Sequence, residues 1–439
     1  MKTGIIVFLL ALFIRFINLL FLPLDIESYI FEDQTLYWEW SLKSAYLPWS
    51  EISNNLLSER MPGSFLFFEF LQWITNKNLF LILLFQSILD SFTCLVIYKC
   101  VYLINKKYAF YTGLFASISP LLIIISSQIL SDTLFLFTFS LSLLYLIKFS
   151  QPNSSQNHIY VAGLMLGVSC FIRAAVFPLI FLCLPIIYFI MKSHKFNNSK
   201  AIFSLLLFFI ISLAPISNRL IDNIITHDSI SLTSQTGSHL AYWMVPGILS
   251  INDKFNRKEA ITYMNLKIQE KGGLTNKPYA DSKKMISVSL EVLYEQNLID
   301  IVYGWGRSLF LNIVAPSILI DSRVRNLEHA SFAEEGKISN WLNKNLEQTE
   351  SIKYLIVLII SLFFAVFTFV SFIYGFFYLV KYNILLSILS FFIILYFGII
   401  TGPTLSPKYS LPFIPIILYF QAIFIDKLFL FFKHRHYTH

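Results

Sequence analysis

The sequence predicts an all-α polytopic membrane protein with about ten transmembrane helices. Of its 439 residues, 56% are hydrophobic and only 13% are charged, which is more apolar than a soluble domain. Apolar runs of about 18 or more residues recur, and each can cross a hydrocarbon core of about 30 Å as a helix. Because strand-length alternation is absent and backbone groups in lipid must be satisfied internally, the predicted spans are helices.

The predicted spans form an N-terminal and a C-terminal group. They cover about 4–22, 79–103, 109–126, 130–147, 160–174, 176–191 and 202–217, then 354–380, 384–400 and 411–432. This divides the chain into an N-terminal transmembrane module (1–217) with a first external loop (23–78), an external region (218–352), and C-terminal helices with a tail (353–439). The external region has helical spacing and mixed charge, so we expect a small helical cap there.

Positive charges in the short loops set the orientation. Lysines at the loops near 99–107, 148 and 192–200 fall on alternate sides of successive spans, which predicts that these loops and both termini are cytoplasmic. Lys381 and the basic tail reach the same side only if the apolar segment 301–320 does not cross. We therefore expect this segment to be interfacial or re-entrant. The alternative is that it crosses and that a further span has been missed.

Several classes of protein are disfavoured. The four cysteines lie in predicted spans, so neither a disulfide scaffold nor a zinc site is indicated. The net charge of +7 lies partly in cytoplasmic loops, where anionic head groups account for it without nucleic acid. Arg15 interrupts the first apolar run, which reads as a retained helix rather than a cleaved signal. Asp90, inside the second span, is expected to have a buried pairing role.

An acidic and aromatic segment, 24–50, follows the first span and includes Glu32, Asp33 and Tyr37. If the chain is helical there, Asp33 and Tyr37 are four residues apart and share one face, so a carboxylate and a phenol would point together. The alternative is an aromatic belt at the membrane interface with solvated acids.

Two further positions near the same membrane face carry unusual charge. Arg60, in an Arg-Met-Pro-Gly turn, has a planar fork of donors that suits phosphate, although it could also anchor at lipid head groups. Asp132 stands out in a nearly apolar hairpin. It could serve an active site, cap the helix that starts there, or do both.

Three cations lie on the predicted external side, although Lys and Arg in short loops usually lie on the cytoplasmic side. They are Arg173, Arg219 and Lys408, the last of them followed by Tyr409. Something anionic is expected to compensate them, either the exported acids or an anionic ligand.

Taken together, these motifs resemble the GT-C superfamily of glycosyltransferases, and within it the branch of protein O-mannosyltransferases and bacterial aminoarabinose transferases. The resemblance rests on the following residues: Asp33 and Tyr37; Arg60, Pro62 and Gly63; Gln86 and Asp90; Ser119 and Pro120 before Asp132 and Thr133; Gly163 and Gly167 before Arg173; and Lys408, Tyr409 and Pro412. It covers about the first 240 residues and returns weakly near the C-terminus.

The resemblance implies transfer of a sugar from a polyprenyl-phosphate carrier to a hydroxyl of a glycan, lipid or protein acceptor, on the external face of a membrane such as the bacterial inner membrane. By this match Asp33 is the general base, Tyr37 accompanies it, and Asp132 is a second acidic position. The cations Arg60, Arg173, Arg219 and Lys408, with Tyr409, are the candidates for binding phosphate.

Some features depart from the family. A Trp-Trp-Asp motif of the oligosaccharyltransferase branch is absent, and Lys408 stands where the family usually has arginine. A metal-independent enzyme is expected, although Glu32, Asp33 and Asp132 could hold one divalent cation.

Two other functions remain open. A flippase or transporter of lipid-linked sugars would also carry charges in the membrane, but it should show inverted repeats and polar midplane sites, which we do not find. An oligosaccharide polymerase shares the substrate class. Such a polymerase should place its cations mainly in the large external loop rather than carry an acid after the first helix.

Overall fold

The computed structural model describes residues 2–23, 25–44, 58–251, 255–330, 338–347 and 351–436. The part of the predicted interfacial segment that follows Ser44 therefore lies outside the described residues. Within them the protein is almost entirely helical, as predicted.

The helices are grouped below by the predicted division of the chain, which stays a prediction. The term external region is kept as a name for residues 218–352. The N-terminal module contains α1 Lys2–Leu20, α2 Ile26–Tyr29, α3 Asp33–Ser44, α4 Gly63–Ile74, α5 Leu79–Ile104, α6 Lys106–Ile118, α7 Pro120–Ser126, α8 Asp132–Ser150, α9 Asn157–Ile172, α10 Phe177–Ser193 and α11 Asn198–Leu213. The external region contains α12 Ser217–His227, α13 Gln235–His239, α14 Val245–Leu249, α15 Arg257–Glu270, α16 Pro278–Tyr294, α17 Leu298–Val314, α18 Ser322–Arg325 and α19 Ile338–Glu347. The C-terminal part contains α20 Ser351–Tyr382, α21 Ile384–Thr401 and α22 Ile414–His436, the last preceded by a 3-10 helix, Pro407–Phe413.

All of the predicted spans fall on helices. Among the described residues, 8 helical stretches are long and apolar enough to cross a membrane, and the bent pair α6–α7 makes a ninth. The bend of 49° falls at Ser119, directly before Pro120, because proline cannot continue the hydrogen-bonding ladder of the preceding helix. The remaining predicted span, 160–174, corresponds to the shorter apolar helix α9. The protein is a multi-pass membrane protein.

A buried ion pair ties the first two long spans together. Arg15 on α1 and Asp90 on α5 are fully buried, with Arg15 Nε 2.5 Å from Asp90 Oδ2. Arg15 also donates to the carbonyl of Ser117 at 3.0 Å. Charges inside a membrane protein must be paired, and the pairing role predicted for Asp90 is confirmed.

Small residues bring α9 and α11 close together. A Cβ atom added to Gly163 would lie 2.9 Å from a ring carbon of Phe208 and from Ser212 Oγ, and one added to Gly167 would meet the Ser212 carbonyl even more closely. Close approach at small residues is how helices commonly pack inside membranes. It holds the end of α9, and thus Arg173, in a defined place.

The segment 301–320 forms most of α17 and a following 3-10 turn, and α17 is not among the membrane-length helices. Gly304, Ser308 and Asn312 are buried on one face of α17, whereas Val302 and Phe310 are 63% and 45% exposed on the other. Such two-sidedness is typical of a helix that lies at an interface. The position of this segment relative to the membrane stays a prediction.

Candidate active site

Asp33 lies between two cations at the first residue of α3. Glu32 adopts a left-handed backbone conformation with φ 50°, which turns the chain into the helix, and a carboxylate is favoured in the first helical turn. Asp33 Oδ2 lies 3.4 Å from Lys408 Nζ, and Asp33 Oδ1 lies 3.9 Å from Arg60 Nη2. The Asp33 side chain is 50% exposed. It is therefore loosely held and accessible.

Asp132, in contrast to Asp33, is buried and held by a short ion pair. Its side chain is 2% exposed, and Oδ2 accepts a hydrogen bond of 2.7 Å from Arg173 Nη2. Arg173 Nε also donates to Ser131 Oγ at 3.0 Å, and its guanidinium lies over the Phe135 ring. Ser131, not Asp132, occupies the N-cap position of α8, and it forms no side-chain capping bond. The capping role considered for Asp132 is therefore wrong.

Tyr37 links the helix of Asp33 to the start of α8. Its hydroxyl donates to Ser131 Oγ at 3.3 Å, and its ring is stacked on Phe65 with centroids 5.1 Å apart. A second tie lies one turn earlier, where the amide of Ile129 donates to Gln34 Oε1 at 2.9 Å. These two hydrogen bonds tie α3, which carries Asp33, to the segment directly before Asp132.

The turn that carries Arg60 packs against the end of α9. A Cβ atom on Gly63 would lie 2.7 Å from the Phe171 carbonyl oxygen, so only glycine permits this approach. Met61 is buried beside it, at 3% exposed. This packing places Arg60 next to the part of the chain that leads into Arg173.

Lys408 is positioned by a buried asparagine of the external region. Asn312 on α17 donates from Nδ2 to the Thr404 carbonyl at 2.9 Å and accepts from the Ser406 amide at 2.9 Å. Both bonds fix the loop directly before the 3-10 helix Pro407–Phe413. An amide that clamps one loop residue as donor and another as acceptor leaves that loop little freedom.

Lys408 also joins the two acid–cation pairs. Besides Asp33, it interacts electrostatically with Asp132 and Arg173. Tyr409 follows it in the same 3-10 helix and is half-buried. Asp33, Asp132, Arg60, Arg173 and Lys408 thus form one connected cluster, the acid–cation site.

Arg219 lies elsewhere. It is 4% exposed on α12, where Nη2 donates to the Tyr279 hydroxyl at 2.9 Å and Nε to the Leu232 carbonyl at 3.2 Å. These hydrogen bonds hold it within the external region rather than against Asp33 or Asp132. Its phosphate-binding role stays a prediction.

His239 borders the site and was not singled out by the sequence. Its Nε2 donates to the Thr401 carbonyl at 3.1 Å, at the end of α21. Burial lowers the pKa of His239, the bond to Thr401 opposes this, and the charge of Arg60 adds to the lowering. A neutral imidazole is therefore favoured beside Arg60. Since no sequence motif surrounds His239, only the fold reveals it.

A bidentate ion pair closes one side of the site. Arg325 on α18 donates to both carboxylate oxygens of Glu32, at 3.1 and 2.8 Å, and lies over the Phe31 ring. These hydrogen bonds lower the pKa of Glu32, whereas partial burial and the neighbouring Asp33 raise it less. The pair connects the external region to the residue directly before Asp33.

The acids considered as ligands for a divalent cation lie beside basic side chains, and metal dependence stays a prediction. Among the described residues, no group of three or more His, Cys, Asp or Glu side chains is placed to hold a metal ion. Glu32 instead binds Arg325, and Asp132 binds Arg173.

The chemical capacity of the acid–cation site follows from its charges. Three cations surround two carboxylates, so the site carries an excess of one positive charge and suits an anion. One carboxylate is fixed by a short ion pair, and the other is exposed and able to accept a proton. The site can therefore hold an anion beside a carboxylate that is open to solvent.

Comparison with known proteins finds a similarity over part of the chain. Residues 59–217 match the model of a family described as dolichyl-phosphate-mannose-protein mannosyltransferase. The matched segment contains Arg60, Asp132 and Arg173, whereas Asp33 and Lys408 lie outside it. The match covers 159 of the 439 residues, and over this part of the chain it agrees with the resemblance that the motifs indicated.

Similar structures have also been solved. The crystal structure of ArnT from Cupriavidus metallidurans in the apo state is 13% identical in sequence, with 95% of this chain and 76% of that chain covered and a TM-score of 0.40. The crystal structure of the same protein bound to undecaprenyl phosphate is 12% identical, with 96% and 77% covered and a TM-score of 0.38. A comparison with curated protein sequences found no match.

Proposed function

We propose that this protein transfers a sugar from a polyprenyl-phosphate carrier to an acceptor hydroxyl, with inversion at the anomeric carbon and Asp33 as the general base. The observation that carries the proposal is the position of Asp33. It is an exposed carboxylate held loosely, at 3.4 and 3.9 Å, between two cations that suit the departing phosphate.

The reaction balances with these groups. Asp33 takes the proton of the acceptor hydroxyl while the hydroxyl oxygen forms a bond to the anomeric carbon. The bond between that carbon and the phosphate oxygen breaks on the opposite face, and its electron pair leaves with the phosphate. The products are an inverted glycoside, polyprenyl phosphate and a protonated Asp33, which returns its proton to solvent.

The excess charge of the site matches this chemistry. The donor is a phosphodiester with one negative charge, and the leaving polyprenyl phosphate has a second. Arg60, Lys408 and Arg173 supply positive charge where that second charge develops, and preorganised charge of this kind stabilises the transition state.

The two acids have separate roles in this proposal. Asp132 is buried and bound at 2.7 Å by Arg173, so it orients a cation and is poorly placed to exchange a proton with an acceptor. Asp33 is exposed and lies one helical turn from Tyr37, whose ring and hydroxyl brace the same helix. Asp33 therefore accepts the proton and Asp132 positions Arg173.

Lysine placement supports a catalytic site on the external face, with both termini cytoplasmic, as in a bacterial inner membrane protein. The acceptor is a glycan, lipid or protein that reaches this face.

The test uses the purified full chain in vesicles with a polyprenyl-phosphate sugar, radiolabelled in the sugar, and membrane or glycan extracts as acceptors. The proposal predicts an acid-stable labelled glycoside together with an equal amount of released polyprenyl phosphate. Movement of intact labelled donor across the bilayer without a new glycosidic bond would indicate a flippase and contradict the proposal.

A further inference from the structure

A groove lies between α20 and α22, and its end at Lys381 is on the face predicted to be cytoplasmic. It has a volume of about 730 Å³, within the range of small-molecule sites. Phe369, Ile373 and Phe377 line one part of it, and Lys381, Tyr382 and Lys427 line another. Its apolar part is open, with Phe377 64% exposed.

The groove changes in polarity along α20. From Phe369 to Tyr382 the helix rises about 20 Å at its standard 1.5 Å per residue. Apolar rings line the first part, and tyrosine and lysine line the last turns. This length is similar to half of a bilayer's hydrocarbon core, about 15 Å, so the groove matches the depth of a single leaflet.

Both lysines lie against aromatic rings. Lys427 Nζ lies 5.0 Å from the centroid of the Tyr378 ring, and Lys381 Nζ lies 5.5 Å from that of Tyr382. Tyr378 is itself fixed, because its hydroxyl accepts a hydrogen bond of 3.1 Å from Tyr108. Aromatic faces hold the ammonium groups in place without neutralising them.

The nearby acid does not neutralise them either. Asp426, next to Lys427, binds Lys107 at 2.5 Å. Within the described part of the chain, neither Lys381 nor Lys427 forms a salt bridge with a carboxylate. Among the described residues, the polar end of the groove thus carries two positive charges that no carboxylate neutralises.

We propose that this groove binds an anionic glycerophospholipid of the surrounding leaflet. Its acyl chains lie along Phe369, Ile373 and Phe377, and its phosphodiester lies between Lys381 and Lys427. The groove opens to the bilayer, where leaflet lipid is abundant, and basic pockets between transmembrane helices on the cytoplasmic side recognise anionic head groups. This site is independent of the acid–cation site and of the reaction proposed for it.

The test is native mass spectrometry of the full-length protein released from mixed detergent and lipid micelles that contain equal amounts of phosphatidylglycerol and phosphatidylcholine. Wild type is expected to retain phosphatidylglycerol preferentially. Lys381→Gln with Lys427→Gln should reduce that preference by about 25-fold, because each lysine near the surface contributes about fivefold. Lys381→Arg with Lys427→Arg should keep it.

Lys148→Gln is the matched control, because Lys148 also lies over a tyrosine ring, that of Tyr145 at 4.5 Å, but outside the groove. It should leave the preference unchanged. Equal retention of the two lipids by wild type, or an unchanged preference in the double glutamine variant, would overturn the proposal. Displacement of phosphatidylglycerol by an equal amount of polyprenyl phosphate would overturn the choice of occupant.

Discussion

At the scale of single residues, Asp33 and Asp132 have the same side chain in opposite surroundings. Asp33 is half exposed and lies more than 3 Å from its cations, whereas Asp132 is buried and bound at 2.7 Å. A buried charge that loses its partner is costly, and an exposed pair contributes little. The two residues should therefore respond differently to the same substitution.

Asp132→Asn is expected to destabilise the protein by about 1–3 kcal/mol, because Arg173 loses its carboxylate in a largely buried place. Asp33→Asn should change stability by less than about 0.5 kcal/mol. Thermal unfolding of both variants in the same detergent measures this difference. Equal shifts of the two midpoints would show that Asp132 is not held as described.

Lys408 tests whether positive charge, rather than a particular side chain, serves the site. Lys408→Arg should retain most transfer activity, since it keeps the charge beside Asp33. Lys408→Gln should lower kcat/KM by about 10–100-fold, because a charge that meets the developing phosphate is lost. Steady-state rates with a polyprenyl-phosphate sugar decide this. A glutamine variant as active as the arginine variant would remove Lys408 from phosphate binding.

The members of the site could be predicted from the sequence individually, but their arrangement could not. Asp33, Arg60, Asp132, Arg173 and Lys408 stood out because charge near a membrane is costly and each sits in a motif. Arg219 stood out for the same reason and lies against Tyr279 instead. The pairing of residues as distant in sequence as Asp33 and Lys408 depends on how the helices pack.

At the scale of elements, α17 connects the external region to the loop before Lys408 through one side chain. Asn312 is 4% exposed, and its amide makes both of the hydrogen bonds that hold the backbone of Thr404 and Ser406. Asparagine carries no charge, so it drew no attention in the sequence. Its role is visible only in the structure, where α17 passes beside the loop that contains Thr404 and Ser406.

Asn312→Ala should lower kcat/KM by up to about 30-fold, because two hydrogen bonds of about 1 kcal/mol each are lost and the loop before Lys408 is loosened. Asn340→Ala on α19, an exposed position, is the control and should have no effect. If the two variants have the same activity as wild type, Asn312 does not position Lys408.

The contact between Glu32 and Arg325 should depend on pH in one direction. The pKa of Glu32 is lowered in the folded protein, so its contribution is complete above the ordinary value of about 4 and is lost as pH falls through the lowered pKa. Hydrogen exchange of α18, corrected for the intrinsic rate, should be constant from pH 8 to 5 and increase below about pH 4. Glu32→Gln should show the increased exchange already at pH 7. Protection that is unchanged in this variant would mean that the pair does not hold α18.

At the scale of the whole molecule, hydropathy predicted the fold well because length and apolar composition are what a bilayer selects. The bend between α6 and α7 was harder to foresee: Pro120 marks the break, but the angle of 49° depends on the helices packed around it. The helix α9 is short because the chain leaves the helical conformation at Arg173, whose side chain binds Asp132.

Orientation is testable with single cysteines. Tyr294→Cys at the exposed end of α16 should react with a membrane-impermeant maleimide in intact cells. Ser199→Cys, exposed in the first turn of α11, should react only after the cells are permeabilised. Labelling of both positions from the same side would contradict the predicted topology. Wild type provides the background from the native cysteines.

The measurement that tests the central claim most directly is the transfer rate of Asp33→Asn with a polyprenyl-phosphate sugar donor, beside Glu32→Gln as the neighbouring control. Asparagine keeps the size of Asp33 and removes the base, so the rate should fall by about 100-fold or more while unfolding is unchanged. Glu32→Gln should retain transfer. A folded Asp33→Asn variant that transfers sugar at a near-normal rate would contradict the assignment of Asp33 as the general base.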